Sequence, residues 1–516
     1  MSFIKLAVNK IQDYGRHIWQ RKSFYLSCIF SIILTLILGH FSQYLFISEF
    51  LKRGNAELAA PMIGAQYNSD RDERNLTNLS SGETEIPKIT IIKITDEDIK
   101  MLGLTYPLSF GYHGRALDAI SEHGTPKAIF IDMLFFEPRE DFHVLQDALC
   151  KLRKKGTKIY IASNMPKRPL TSEFRQITQI ARGKIKWPEG EYSCKLLAAE
   201  VAVDKTTDKF TNQAWNYCLY IDKSGTKSKD LNNCQINSST IYGITTINKP
   251  AYQIYLDMGY GAINKKISPE LALTWATETE KDPKMLKDDS NQTCRNSIKF
   301  LDRIALPDII KKQLDRDSVK PFCPYFNELT MSDFKDSDNQ EALIDNNIVF
   351  YGSELDGMND FSYTPSRGKM HSMNVHAMAL DNLLVYQENS KFNKELSESK
   401  GLLLFVLAWQ IFIITLSIAL EKVVSKIKFF GQLNNCSCLP QMIHFKSFIV
   451  KITLLIFAPF LILLLIPIGY SLLNLGVMSW IEYAAIGSFS EVLGLRKMIE
   501  EDLVSLGNWR KKWRSL

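Results

Sequence analysis

The sequence predicts an α/β domain with a parallel-type sheet, flanked by one N-terminal and three C-terminal transmembrane helices. Three observations lead there: long uncharged apolar runs near both ends, basic residues gathered on one side of those runs, and alternating strand and helix patterns from Ile86 to Ala162. The 516 residues carry 62 Lys+Arg against 56 Asp+Glu, a formal net charge of +6. That bias is too mild for a dedicated nucleic-acid binder. With 26 Gly and 18 Pro, collagen-like and low-complexity chains are excluded as well.

Residues 24–46 contain no Asp, Glu, Lys or Arg, and about 20 apolar residues rising 1.5 Å each cross the hydrocarbon of a bilayer. The run is longer than a signal-peptide core and no A-x-A-like cleavage site follows it, so it reads as an uncleaved anchor. Residues 401–420 form a second uncharged run. Residues 452–493 are too long for one crossing and contain Pro459, Pro467, Gly469 and Asn474, so they read as two helices turning near Gly469–Asn474. Lys and Arg cluster in the N-terminus (1–23), in the loop 421–451 and in the tail 494–516. By the positive-inside rule both termini are cytoplasmic, and 48–400 lies on the far side of the membrane. Lys52, Arg53, Lys391, Lys394 and Lys400 dilute the bias at the edges of that segment.

Six cysteines, Cys150, Cys194, Cys218, Cys234, Cys294 and Cys323, fall within 48–400. In an oxidising compartment they can pair, and otherwise they are buried free thiols; the sequence does not choose. Cys436 and Cys438, with His444, lack the spacing of a zinc site.

Inside the outer segment, residues 87–95 and 127–136 read as short β-branched or buried strands. Residues 114–123 and 141–155 read as helices, and 157–162 as a third strand. Continuous apolar strands separated by helices imply βαβ units, right-handed crossovers and a parallel sheet covered on both faces. Ligands on such sheets sit beyond the carboxyl ends of the strands. Asp96, just after the first strand, and Asp132, near the end of the second, are therefore the first acids to consider.

These residues also carry a resemblance. Ile94-Thr95-Asp96, Leu102-Gly103, Tyr106-Pro107, Ala128 to Asp132 and Phe135-Phe136-Glu137-Pro138 with Asp141 resemble the opening of the CHASE type 2 domain (cyclases/histidine-kinases associated sensory extracellular). Val349 to Gly352, Asp360, Thr364-Pro365 and Asn374 to Ala377 through Leu384 resemble its close, and Gly261 to Asn264 with Leu271 to Leu273 its centre. The likeness covers residues 86–384. Tyr106-Pro107 stands where that family tends to have Trp-Pro followed by arginine, and polar insertions at about 167–239 and 278–291 lengthen the middle.

The resemblance implies a membrane-anchored extracytoplasmic sensor in a bacterial inner (plasma) membrane, normally fused to a kinase or cyclase. Only roughly 20 residues follow the last span, far fewer than a catalytic domain needs. The expected partners are thus a separately encoded cytoplasmic output protein (kinase, cyclase or effector), an unknown extracytoplasmic ligand and the lipid bilayer. A homo-oligomer is left open, and no nucleic acid is expected.

No phosphate loop, zincin, hydrolase-elbow or zinc-finger motif occurs, so neither catalysis nor a cofactor or metal set is expected. The candidate ligand residues are Asp96, Asp132, Asp360, Thr364 and His376. The three acids offer hard oxygen donors to a cation or polar ligand. The competing reading makes them caps of helices and turns, His376 a packing residue and Thr364 a loop-shaping one. Glu482, with His40 as one partner, is a candidate ionisable site within the membrane; the competing reading shifts the span so that Trp480 and Tyr483 mark the interface and Glu482 is wet. Trp509, Arg510, Lys511, Lys512, Trp513 and Arg514 suit a helix lying on an anionic leaflet or docking a partner. A different class of function, an oligomeric pore or assembly platform, would need polar helix faces that residues 401–420 and the first half of 452–493 largely lack.

Overall fold

The computed structural model describes residues 63–75, 86–164, 170–203, 216–222, 246–259, 270–276, 325–336, 340–355, 360–364, 368–387 and 407–416, with a few isolated positions. In chain order the elements are β1 (Ile89–Thr95), α1 (Asp96–Met101), α2 (Phe110–His123), β2 (Ala128–Asp132), α3 (Phe142–Lys154), β3 (Lys158–Ser163), α4 (Ser172–Ile177), β4 (Thr178–Ile180) and β5 (Ala198–Ala202). There follow β6 (Asn216–Cys218), β7 (Tyr220–Asp222), β8 (Thr246–Asn248), α5 (Pro250–Asp257) and β9 (Glu270–Ala272). The last are β10 (Asn327–Thr330), α6 (Met331–Asp336), α7 (Gln340–Ile344), β11 (Ile348–Glu354), β12 (Phe361–Thr364), β13 (Gly368–His371) and α8 (Ser372–Tyr386).

Seven strands form one sheet in the order β10-β1-β11-β2-β3-β5-β4, and each pairing in it is parallel. This is the α/β architecture that the strand and helix alternation predicts. β11, late in the chain, is inserted between β1 and β2. That insertion aligns three residues at the carboxyl edge, because Gly352 pairs with Lys93 on one side and with Asp132 on the other.

Alternation along each strand divides the core into two layers. Ile92, Ile94, Ile129, Ile131, Ile159, Ile161, Val349 and Tyr351 pack with Leu117 and Ile120 of α2 and with Leu145, Leu149 and Leu152 of α3. The other face carries Phe130, which touches Phe350 and the His376 ring of α8. α2 starts at Ser109, whose side chain accepts from Tyr112 N–H, earlier than the apolar pattern alone predicts. Gly114 lets α2 approach α3, since a Cβ there would lie 2.8 Å from the Val144 and Leu145 backbone.

Cys150 of α3 and Cys194 are joined by a disulfide, and Cys218 is disulfide-bonded too. For these three cysteines the choice between pairs and free thiols falls on pairs, as suits an oxidising compartment. Cys234, Cys294 and Cys323 lie outside the described residues.

Two compact units divide the chain: Ala60–Asn393, which holds the sheet, and Met1–Ala59 with Lys394–Leu516. In the second, residues 407–416 are helical. Among the described residues no helix is long and apolar enough to cross a membrane. The segments 24–46, apart from Ile29, and 452–493, together with His40, Glu482 and the 509–514 cluster, lie outside the described residues.

Candidate functional site

The carboxyl edge of β1, β11 and β2 is closed by the β12–β13 hairpin and by the start of α8. The hairpin register pairs Phe361 with His371, which brings Asp360, one residue before β12, beside that histidine. His371 is the N-cap of α8, its Nδ1 accepting from Met373 N–H at 3.3 Å. Ser372 fixes Asp360 in turn, its N–H and hydroxyl both donating to the Asp360 carbonyl at 3.0 Å. Opposite stands Asp132 at the end of β2. Ligand atoms of Asp132, Asp360 and His371 all lie within 4.8 Å of one another.

Gly352 gives this cluster its floor. A Cβ there would meet Met373 Sδ at 3.1 Å and Asp132 Cβ at 3.3 Å, so the missing side chain admits the first turn of α8 over the sheet. Lys93 stands on the other side of the glycine, tied to Glu328 at 2.9 Å and to Glu354 at 2.7 Å.

The electrostatics are those of a strained acid pair. Part of Asp132 reaches solvent, but its Oδ2 is sealed and has no hydrogen-bond partner. Burial, and then the neighbouring Asp360, push its pKa up to about 8. His371 Nε2 is 3.6 Å from Asp360 Oδ2. Burial lowers the pKa of His371 more than Asp360 and Glu354 raise it, so its ring is neutral at neutral pH. Because Nδ1 accepts the cap hydrogen bond, the proton of the neutral ring sits on Nε2 and faces Asp360.

Of the candidate acids, Asp132 and Asp360 come together. Asp96 does not join them: it is exposed on the first turn of α1, where acids complement the helix dipole. The buried acid of that helix is Asp98, which forms a capping box with Thr95 and accepts from the Ser332 hydroxyl at 2.7 Å. Burial works to raise the Asp98 pKa, but hydrogen bonds from Ser332 and Thr95 outweigh it and hold it low. Thr364 is buried at the far end of β12, paired with Gly368, about 10 Å along the strand from Phe361 at the usual rise.

His376 lies one turn into α8, buried between Phe130 and Tyr217, with its Nδ1 2.9 Å from the Tyr217 hydroxyl. Burial lowers its pKa well below the ordinary histidine value. Its surroundings are those of a packing residue with a satisfied hydrogen bond. His371, which the sequence reading passes over, takes the place at the acid pair because a hairpin register, invisible in a local pattern, carries it there.

A second polar cluster ties α8 to the helical residues 63–75. Asp381, fully buried, pairs with Arg71 and accepts from Tyr67 at 2.5 Å and from Tyr325 at 3.1 Å. Arg71 also donates to the Tyr325 hydroxyl at 3.0 Å. Nearby, Tyr386 donates to Asp70 at 3.0 Å and its ring packs edge-on against Tyr67. Burial and then the Asp381 charge raise the Tyr67 pKa well above the usual value, so that phenol remains a donor. A lone Asp in the apolar stretch 374–384 was the sequence signal for this cluster, since a buried charge requires partners.

An α/β domain with polar groups gathered beyond the carboxyl ends of its central strands is of the class that takes ligands at that edge. The CHASE2 domain model matches residues 66–415, and the chain belongs to the CHASE2 domain family. That family is sensory and of extracellular type, which agrees with the resemblance read over 86–384 and with the disulfide of this fold. No curated protein and no solved structure matches the chain.

Proposed function

We propose that the protein is a membrane-anchored extracytoplasmic sensor that passes its signal to a separately encoded cytoplasmic partner. The observation that carries this reading is the placement of α8. Its N-terminus is capped by His371 at the acid pair, and its C-terminal half holds Asp381 and the ties to residues 63–75. A 15-residue helix is about 22 Å long, so occupancy at one end and restraint at the other act on one rigid rod. In sequence the rod leads to the apolar run 401–420, and residues 63–75 follow the run 24–46. Both runs serve in this reading as bilayer spans, with both termini cytoplasmic and the α/β domain outside a bacterial inner membrane.

The test is a pull-down of the full-length protein in mild detergent, with and without the tail from Arg496 onward. A kinase, cyclase or effector that co-purifies and is lost with the tail is the expected result. Self-assembly alone, with ion leakage from liposomes, would replace the sensor by a pore.

A further inference from the structure

We infer that the Asp132–Asp360 pair is the binding site of a hard divalent cation, held by carboxylate oxygens at the first turn of α8. The inference rests on the sensor reading for its consequence, because the cation would then be the signal or a cofactor of the signal. The binding site itself stands on geometry.

Three observations point to a ligand. Two carboxylates from distant parts of the chain share a space in which their oxygens and a histidine nitrogen lie within 4.8 Å of one another. Asp132 Oδ2 is sealed from solvent and accepts no hydrogen bond, an arrangement that costs free energy unless a donor or a cation completes it. Gly352 keeps the floor of this space clear of a side chain.

Among the described residues, Lys93 and His371 stand at this edge, and each has its own partner. Lys93 is engaged by Glu328 and Glu354, and His371 lies with its Nε2 3.6 Å from Asp360 Oδ2.

The histidine also selects among cations. A zinc-type ion would take the Nε2 lone pair, which requires a proton on Nδ1, and Nδ1 is occupied in accepting from Met373 N–H. Oxygen ligands alone, completed by water, suit Ca²⁺, Mg²⁺ or Mn²⁺.

The test uses full-length protein in detergent, stripped with EDTA, titrated by calorimetry and followed by thermal unfolding with Ca²⁺, Mg²⁺, Mn²⁺ and Zn²⁺ in separate arms. Saturable binding of at least one hard cation, with a rise of several degrees in midpoint, is expected. Asp132→Asn and Asp360→Asn should each weaken that binding at least tenfold while unfolding cooperatively without metal. Asp96→Asn, an acid on the exposed first turn of α1 and outside the pair, should leave binding within about threefold. No saturable binding to the folded protein would overturn the inference, as would binding unchanged by both Asp variants, or binding of zinc alone that His371→Asn abolishes. Cation binding without any effect on partner capture would sink the sensor reading and leave the cation site intact. Partner capture through the tail without cation binding would do the reverse.

Discussion

His113 shows how a single buried side chain makes the stability of this fold depend on pH. It lies in α2 with its Nδ1 3.1 Å from the Tyr351 hydroxyl and its ring against Phe135. Burial, helped by the Arg139 charge, lowers its pKa to about 3. In the unfolded chain it returns to about 6.5. Above 6.5 neither state binds the proton, so the group has no effect on stability there. Below 6.5 the unfolded state takes the proton and the folded state does not, so stability falls with pH until about 3, by roughly 1.4 kcal/mol per unit. Asp132, raised in the folded state, works in the opposite direction, so the difference between His113→Asn and the parent isolates the histidine. Urea midpoints between pH 8 and 5 should converge as pH falls, with the variant recovering about 2 kcal/mol relative to the parent by pH 5. Parallel pH profiles would show that His113 does not titrate as described. The acid pair is another case decided by single residues, and it was only half legible. Asp132 follows from its place at a strand end and Asp360 from a motif-like loop, whereas His371 depends on the pairing of Phe361 with His371.

Of the elements between Ile86 and Ala162, the three strands and the helices α2 and α3 were legible because each is specified locally, whereas the short α1 (Asp96–Met101) was not read. Apolar runs give β1, β2 and β3, and the helix after β2 ends at Lys154, close to where its pattern fades. The insertion of β11 between β1 and β2 was not legible, because parallel pairing over that separation leaves no local trace. Yet it is this insertion that creates the row Lys93, Gly352, Asp132. Helix packing offers a sharper test. An alanine at position 114 gains helix propensity of about 1 kcal/mol over glycine. Its Cβ, however, would lie 2.8 Å from α3 backbone atoms, and backbone cannot swing aside as a side-chain tip can. Overpacking of this kind costs about 1–3 kcal/mol. Gly114→Ala should therefore lower stability on balance, while Gly183→Ala, with open space around its Cβ, should change it by less than about 0.5 kcal/mol. Chemical denaturation of both variants decides the matter; equal effects would mean that α2 and α3 are not held at this distance.

For the molecule as a unit, the decisive feature is that residues far apart in sequence close one buried polar cluster. Arg71 and Asp381 are 310 positions apart, and the phenols of Tyr67 and Tyr325 complete the acid's partners. Such a cluster confers little net stability, because desolvation of both charges offsets their attraction. Removing one partner still strands the other, at a cost of about 3–5 kcal/mol. Its contribution is therefore conditional: this cluster ties the segment after the first apolar run to the helix before the second only while its members stay paired. Arg71→Met alone and Asp381→Leu alone should each lose roughly that amount, and the double variant should lose clearly less than the sum, since no buried charge remains unpaired. Unfolding of the four proteins in a double-mutant cycle measures the coupling. In the sensor reading the double variant, although folded, should couple partner capture to the acid pair more weakly than the parent, because Tyr386, with Asp70 and Tyr67, then remains as the tie from α8 to residues 63–75. Additive losses would mean that the two charges do not act as a pair. A coupled pair with partner capture as responsive to the acid pair as in the parent would move the transmission path off this cluster.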